Sequence, residues 1–298
     1  MKHSIKDWVF ATRPWSLTAS AMPALIGISY VFYVRNDLSS VNWLFGVLSL
    51  FGAVIFQSGS NLLNDYFDYK YNVDRKDSHS SRTLVDEIFT PKEIFNFALS
   101  FFATGSLLGI YLLINTNWEL LVIGLLGGLG GFFYNKFKNI ALGDIVIYII
   151  YGVLISFGTV YVMTGILMWE IIAITTPAGF LIVGILHANN TRDIINDGKA
   201  NIKTLAMLIG LKNSKIYFIL LMFLPYLCII GLSVAKIVSP LNLAVILTLP
   251  MAYKCIEEIN SVDIENLNKI KTLAEKVAKL VLMFCFVQAC FNFIAGSI

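Results

Sequence analysis

"SGSNLLNDYFDYKYNVDRKD", residues 58–77, carries four aspartates directly after an apolar run. A soluble chain normally has about 25% charged residues, whereas this chain of 298 residues has 14% charged and 57% hydrophobic residues. The composition therefore indicates a polytopic membrane protein, in which ionisable residues inside the helices mark functional sites. The acids of residues 58–77 raise the question of what stabilises so much negative charge at the end of a membrane helix.

The fold class predicted from the apolar runs is all-α. A helix needs about 20 mostly apolar residues to cross the hydrocarbon core, and runs such as "LLGIYLLI" lack the alternation of lipid-facing barrel strands. No linker divides the chain, so we expect a single domain, residues 1–298. Nine transmembrane helices are predicted, at about residues 14–34, 42–63, 93–115, 118–135, 143–165, 170–190, 214–235, 240–256 and 277–295.

The distribution of basic residues predicts the orientation, because Lys and Arg accumulate in cytoplasmic loops. Twenty of the 22 Lys and Arg residues fall at the N-terminus and in alternate gaps between the nine segments, and only Arg35 and Lys236 lie in the other gaps. We therefore expect a multi-pass protein of the cytoplasmic (inner) membrane with a cytoplasmic N-terminus. The acidic stretch would then face the cytoplasm.

A second acidic stretch, "GILHANNTRDIINDGKANIKTLA", residues 184–206, follows the sixth segment. In both stretches Asn and Asp recur at helical spacing and share one helix face. The residues that share a face are Asn61, Asp65 and Asp68 in the first stretch, and Asn189, Asp193 and Asp197 in the second. The recurrence predicts two four-helix halves plus one helix, with the second and sixth helices facing each other across a central cavity.

This donor set suits a hard cation. Asp and Asn oxygens favour Mg²⁺ or Ca²⁺ over zinc, and Mg²⁺ usually completes its shell with water and substrate phosphate. Two such clusters fit two metal ions on one diphosphate. Asp74 suits a ligand or a solvated loop equally, whereas Asp77 reads as a loop residue. The candidate ligands are Asn61, Asn64, Asp65, Asp68, Asp74, Asn189, Asp193 and Asp197.

Basic residues beside the acids would neutralise the remaining phosphate charge, with Arg able to bind in bidentate fashion. We prefer Arg82 and Arg192 among them. The candidate diphosphate contacts are Lys76, Arg82, Lys136, Arg192, Lys199 and Lys203.

At this point the motifs resemble a known family. "NDYFDYKYNVD" (64–74) and "NNTRDIINDGKANIKTLAMLIG" (189–210) look like the two Asp-rich motifs of the UbiA superfamily of intramembrane prenyltransferases. The spacing of the first motif, together with "RPWSLTASAMP" (13–23), is similar to the 1,4-dihydroxy-2-naphthoate polyprenyltransferases of menaquinone synthesis. Two features depart from that pattern: "YNKFKNIALGD" (134–144) is short, and Asp144 stands where Glu is common.

The resemblance implies Mg²⁺-dependent transfer of a polyprenyl group from polyprenyl diphosphate to an aromatic acceptor. The acceptor implied is 1,4-dihydroxy-2-naphthoate, which would give demethylmenaquinone, a quinone. The lipid bilayer is the expected surrounding, and no nucleic-acid partner is expected. The residues to which the resemblance assigns catalysis are Asp65, Asp68, Asp193 and Asp197.

Several readings stay open from the sequence. Arg13 is a candidate partner for the acceptor carboxylate or a positive-inside anchor. The acceptor would alternatively be 4-hydroxybenzoate, another phenol or a lipid headgroup. A secondary transporter is the rival from another class, since transporters also combine repeats with intramembrane charges.

Three further features have structural readings. His187 reads as a hydrogen-bonded structural histidine in preference to a cavity residue. Residues 257–276 read as a connector that covers the mouth of the site. The helical glycines in "LLGGLGGFFYN" read as close helix packing instead of a phosphate loop, and they are Gly127, Gly128, Gly130 and Gly131.

Overall fold

The computed structural model describes residues 3–35, 37–71, 83–199 and 202–298. Four residues discussed above, Asp74, Lys76, Asp77 and Arg82, lie outside them. Helices dominate the described ranges, which contain a single isolated β-bridge, and the all-α prediction is confirmed. The α-helices are α1 Ile5–Ala11, α2 Thr18–Val34, α3 Trp43–Lys70, α4 Pro91–Ile114, α5 Glu119–Phe132, α6 Tyr134–Lys138, α7 Gly143–Ile147, α8 Ile155–Thr164, α9 Glu170–Arg192, α10 Ile194–Lys199, α11 Leu205–Val234, α12 Leu249–Asn260 and α13 Leu273–Gly296.

Shorter helical turns extend several of these elements. Pro14–Ser16 is a 3₁₀ turn that leads into α2, and Pro240–Thr248 is a 3₁₀ segment that leads into α12. Tyr148–Leu154 is a π-helical segment that joins α7 to α8. The start of α4 has the expected local chemistry, because Thr90 and Glu93 form a capping box that satisfies free backbone N–H groups.

Seven of the described helices are long and apolar enough to cross a membrane. Helix α5, the fourth predicted segment, has only 14 residues and is about 21 Å long, shorter than a hydrocarbon core of about 30 Å. The eighth predicted segment is divided between the 3₁₀ segment and α12. The chain is thus a multi-span membrane protein, and the count of nine spans is not confirmed.

Helix α9 is the most buried of the seven candidate spans and packs against α11, α13 and the π-helical segment. Helix α13, the ninth predicted segment, packs against both α2 and α9. Helix α13, which the sequence adds to the two predicted four-helix halves, therefore contacts the first and the sixth predicted transmembrane helices, α2 and α9. A large apolar core unites these helices, and a smaller one joins α3 to α4 through Leu62, Ile94 and Phe102.

Two glycines bring the π-helical segment and α9 into backbone contact. A Cβ added to Gly179 would lie 2.8 Å from the Cα of Gly152, and a Cβ added to Gly152 would lie 3.0 Å from the Cα of Gly179. Thr175 strengthens this contact, since its hydroxyl donates a hydrogen bond of 2.8 Å to the backbone carbonyl of Gly152. Small residues allow such approaches between membrane helices, and here they fix the helix that carries the second acidic motif.

Replacing Gly179 with alanine should destabilise the protein by about 1–3 kcal/mol, because the new methyl group would collide with backbone atoms that cannot rotate away. The measurement is the midpoint of thermal unfolding in detergent. Gly109→Ala is the matched control: Gly109 is also helical, but no atom of the described residues lies within 4 Å of its added Cβ. The contact would be contradicted if both variants unfolded at the wild-type temperature.

Candidate active site

A cavity of about 440 Å³ lies between the end of α3 and the junction of α9 with α10. This is within the usual size range of small-molecule sites. The structure therefore brings the two acidic motifs to one cavity, as the sequence predicted. The predicted site residues that line it are Arg13, Asn61, Asn64, Asp68, Asn189, Arg192, Asp193 and Asp197.

Asp65 lies just behind the cavity wall and holds Arg13. Its side chain is buried, and the Arg13 guanidinium donates a hydrogen bond to its carboxylate. Arg13 has a left-handed backbone with φ of 55°, a conformation that a side chain other than glycine adopts at a cost. The ion pair therefore places a cation at the cavity surface and neutralises the first aspartate of the motif.

Asn61 fixes the turn that carries Arg13. Its amide nitrogen donates hydrogen bonds of 2.9 Å to the backbone carbonyl of Thr12 and of 2.9 Å to the hydroxyl of Ser16. The nitrogen of this predicted ligand is thus used to attach the N-terminal turn to α3. Its role as a metal ligand stays a prediction.

Asp68 lies one turn after Asn64 and meets a lysine from α6. The Asn64 amide nitrogen donates a hydrogen bond of 2.8 Å to Asp68, and the Lys138 ammonium is 3.6 Å from the same carboxylate oxygen. The Asn64 side-chain oxygen is buried without a hydrogen-bond partner among the described residues. This oxygen and the Asp68 carboxylate are both candidate hard ligands for a cation.

The second motif lies where the helix changes direction. Helix α9 ends at Arg192, and Asp193 has the non-helical angles of its C-cap. The Arg192 guanidinium donates two hydrogen bonds, of 2.8 and 2.6 Å, to the Asp193 carboxylate. Helix α10 then carries Asp197 one turn further, to the same cavity. The break between α9 and α10 thus places two carboxylates and one arginine at the same cavity.

Asp197 is the least compensated acid of the site. It is 3% exposed, and one of its carboxylate oxygens has no hydrogen-bond partner within the described ranges. Burial raises its pKa to about 7, and the nearby charges of Asp193 and Asp68 act in the same direction while Lys138 opposes them. A bound cation would favour the ionised form, so the geometry fits a cation at this position.

The acids do not form a compact metal cage by themselves. Across residues 3–35, 37–71, 83–199 and 202–298, no three His, Cys, Asp or Glu residues are close enough together to hold a metal ion. Two separated groups are found instead, one with Asn64 and Asp68 and one with Asp193 and Asp197. Mg²⁺ often takes only one or two carboxylates and completes its shell with water and phosphate. The residues present therefore fit a cation that shares its ligands with a substrate.

The lysine at the cavity is Lys138, which the sequence analysis did not select. Lys136 is exposed, its ammonium lies 5.1 Å from the centre of the Phe133 ring, and it does not line the cavity. Two residues along a helix are about 200° apart, so Lys136 and Lys138 cannot share a face. Tyr134 and Lys138, at positions i and i+4, do share one, and both line the cavity. The i, i+4 spacing of Tyr134 and Lys138 is the sequence pattern that would have indicated Lys138 as a cavity residue.

Two other predicted basic contacts, Lys199 and Lys203, are not among the residues that line the cavity. Both are exposed. Lys203 donates its backbone N–H to Asn139 in a bond of 3.3 Å, beside the isolated β-bridge with Ile140. Their predicted role as diphosphate contacts has no support from these positions. Asn190 and Asn196, which the sequence analysis also missed, line the cavity.

A second, apolar cavity of about 180 Å³ adjoins the first and shares five lining residues with it, and we call it the apolar groove. Helix α5 lines it with Gly124, Gly127, Gly128 and Gly131, which recur on one helix face. The prediction of close packing fits Gly130, whose added Cβ would lie 2.9 Å from Ile150. The fit is looser at Gly127 and Gly128, where an added Cβ would be in ordinary van der Waals contact, 3.9 Å from Leu154 and 3.7 Å from Phe56. Both glycines line the groove, so a longer side chain at either position would enter it.

His187 is a buried, hydrogen-bonded residue, as predicted, and the connector before α13 contacts the cavity. His187 is fully buried, its Nδ1 atom is 3.1 Å from the Asp144 carboxylate, and it does not line the cavity. The connector contains a short 3₁₀ helix, Leu267–Ile270. Its Lys271 lines the cavity and accepts a hydrogen bond of 3.4 Å from Arg192. The connector therefore forms part of the cavity wall.

Known proteins share both the sequence and the fold. A profile of the UbiA prenyltransferase family matches residues 20–284. UbiA prenyltransferase domain-containing protein 1 of Gallus gallus is 33% identical over 286 residues, which cover 93% of this chain and 82% of that protein.

Two solved structures show the same fold at lower identity. A UbiA homologue from Archaeoglobus fulgidus bound to GPP and Mg²⁺ has a TM-score of 0.64 at 17% identity, over 95% of this chain and 99% of that one. A digeranylgeranylglyceryl phosphate synthase has a TM-score of 0.63 at 18% identity, over 97% of this chain and 99% of that one. From its sequence match and its fold, the chain belongs to the UbiA prenyltransferase family of membrane enzymes.

Proposed function

We propose that this prenyltransferase transfers a polyprenyl group from polyprenyl diphosphate to a hydroxylated aromatic acceptor. The observation that carries the proposal is that two unlike cavities lie side by side and share lining residues: one has acidic and basic side chains from α3, α6, α9 and α10, and the other is almost wholly apolar. A polyprenyl diphosphate has the same division into a charged head and a hydrocarbon tail. Family membership supports an enzyme over the secondary transporter considered above.

Mg²⁺ is the proposed cofactor. The buried, unpartnered oxygens of Asn64 and Asp197 within the described ranges support a hard cation, and the Archaeoglobus fulgidus homologue was solved with Mg²⁺ and GPP. Bound Mg²⁺ would neutralise the charge that develops on the departing diphosphate. The proposed ligands are the acids and amides of the two motifs, and Asp74 stays a candidate outside the described residues.

The basic residues of the cavity would hold the diphosphate. Lys138 and Arg192 both line the cavity, with side chains only 13% and 10% exposed, so their charges are weakly screened by solvent. A planar guanidinium suits bidentate contact with phosphate oxygens. As the C1–O bond of the allylic substrate breaks, its electron pair leaves with the diphosphate, and these two cations would stabilise that charge.

The proposed acceptor is 1,4-dihydroxy-2-naphthoate. Its electron-rich ring would form the new bond to C1 and lose its carboxylate as CO₂, which gives demethylmenaquinone in its reduced form. Arg13 lines the cavity and would bind the carboxylate, sharing its charge with Asp65. The motif spacing and the "RPWSLTASAMP" segment support this acceptor. Another phenol, 4-hydroxybenzoate included, and a lipid headgroup are the competing acceptors of the same reaction, the last also because a digeranylgeranylglyceryl phosphate synthase shares the fold.

We propose that the apolar groove holds the first part of the polyprenyl tail. The groove beside Gly127 and Gly128 would accommodate the chain, and helix α5 has no fully buried residue in the described structure, so the groove lies near the lipid-facing side of the protein. The positive-inside pattern supports a cytoplasmic mouth for the charged cavity. The head of the substrate would then lie toward the cytoplasm and its tail toward the bilayer.

Asp68→Asn and Asp197→Asn should each lower the turnover rate by about 100-fold or more, because each removes a charge that holds the diphosphate-bound cation. The measurement is prenylated product by mass spectrometry, with Mg²⁺, a polyprenyl diphosphate and a panel of aromatic acceptors. Asp263→Asn is the matched control: Asp263 is exposed and does not line the cavity, so its activity should equal wild type. Wild-type turnover in both cavity variants would contradict the assignment.

Gly127→Leu should shorten the polyprenyl chain that the enzyme accepts, because the new side chain would project into the apolar groove. We expect kcat/KM for a long polyprenyl diphosphate to fall about tenfold relative to that for geranyl diphosphate. Gly109→Leu adds the same side chain at an exposed helical glycine outside both cavities, and it should leave the ratio unchanged. If Gly127→Leu also left the ratio unchanged, the tail would lie elsewhere.

A further inference from the structure

We propose that Gln57 binds the acceptor, with its side-chain oxygen accepting a hydrogen bond from a hydroxyl group on the aromatic ring. The inference rests on the proposed prenyl transfer and adds a residue that neither acidic motif contains. It assigns the acceptor a location in the protein and a chemical requirement, a free hydroxyl group.

Gln57 lies where the two cavities meet. It is in α3, one turn before Asn61, and it lines both the charged cavity and the apolar groove. The other residues common to both cavities are Ser60, Gly131, Ile150 and Tyr151. If the diphosphate occupies the charged cavity and the tail occupies the groove, the bond between them that must break lies at this junction. The acceptor ring has to reach the same place.

One hydrogen bond fixes the orientation of the Gln57 amide. Its nitrogen donates to the backbone carbonyl of Ser16 at 2.8 Å, so the oxygen occupies the other branch of the amide. The side chain is buried, with 7% of the residue exposed, and the oxygen has no hydrogen-bond partner among the described residues. A buried polar atom without a partner costs free energy, and a bound ligand with a donor would remove that cost.

The chemistry of the substrates identifies which of them supplies this donor. A carbonyl oxygen accepts hydrogen bonds and does not donate them. A hydrocarbon tail has no donor, and the ionised oxygens of a diphosphate are acceptors. The hydroxyl group that makes the aromatic ring electron-rich is therefore the donor available among the proposed substrates. Its contact with Gln57 would hold the ring at the junction, beside the carbon that it attacks.

The test measures the coupling between the residue and the hydroxyl group. The probes are 1,4-dihydroxy-2-naphthoate and 4-hydroxybenzoate, each compared with its O-methyl ether. In the wild type, methylation of the contacted hydroxyl should raise the KM for the acceptor about tenfold. Gln57→Met keeps the length of the side chain and removes the oxygen, so it should raise that KM by a similar factor. Methylation should then cause no further change, and the KM for the prenyl diphosphate should stay within about twofold.

Gln288→Met is the matched control. Gln288 is also buried, donates to a backbone carbonyl, that of Ile174, and has an unpartnered side-chain oxygen among the described residues, but it lines neither cavity. It should leave the discrimination between hydroxyl and methoxy acceptors intact. Gln57→Leu also removes the side-chain oxygen and should lose the discrimination, which provides a second variant if Gln57→Met does not fold.

Two different failures are distinguishable. If the wild type prenylates the aromatic acceptors but methylation costs as much in Gln57→Met as in the wild type, Gln57 does not contact the hydroxyl group and the inference is overturned. If the wild type prenylates no aromatic acceptor, the proposed function is overturned and this inference with it.

Discussion

Negative charge buried at the ends of apolar helices is the constraint on which the rest of this structure depends. A carboxylate in a low-dielectric site is stable only when a cation or a set of hydrogen-bond donors compensates it. Basic side chains compensate three of the motif acids. Arg13 comes from the turn before α2 and binds Asp65, while Lys138 comes from α6 and lies near Asp68. Arg192 comes from the end of α9 and binds its neighbour Asp193.

These contacts also assemble the cavity. Asn61 and Gln57 of α3 hold the Arg13 turn through hydrogen bonds. These bonds fix the backbone of the residue whose charge neutralises Asp65. On the other side, the end of α9 at Arg192 allows α10 to bring Asp197 back toward the same space. Asp197 retains an unpartnered oxygen within the described ranges. The site is thus compensated except where a bound cation and its anionic substrate would complete it.

The apolar groove gives the same cavity its second property. Gly127 and Gly128 line the groove along α5. Gly152 and Gly179, in contrast, let two helix backbones come into direct contact. Glycine therefore has two different effects here. Where a neighbouring helix is close, the lack of a side chain lets the backbones touch, and where it is farther away, the lack of a side chain leaves part of a cavity. A charged cavity beside an apolar groove suits an amphiphilic substrate whose reacting bond lies at the boundary.

The sequence by itself determined the all-α membrane class and the two acidic motifs, because apolar length and carboxylates at helical spacing depend only on neighbours along the chain. It also predicted that the motifs would share a cavity, as they do. It selected Lys136, Lys199 and Lys203 by proximity in sequence, and none of the three lines the cavity. Only the tertiary structure decided that Lys138 lies near Asp68, that Arg13 binds Asp65, and that Gln57 stands between the two cavities. Those outcomes depend on how helices far apart in sequence rotate and pack, which no local pattern of residues specifies.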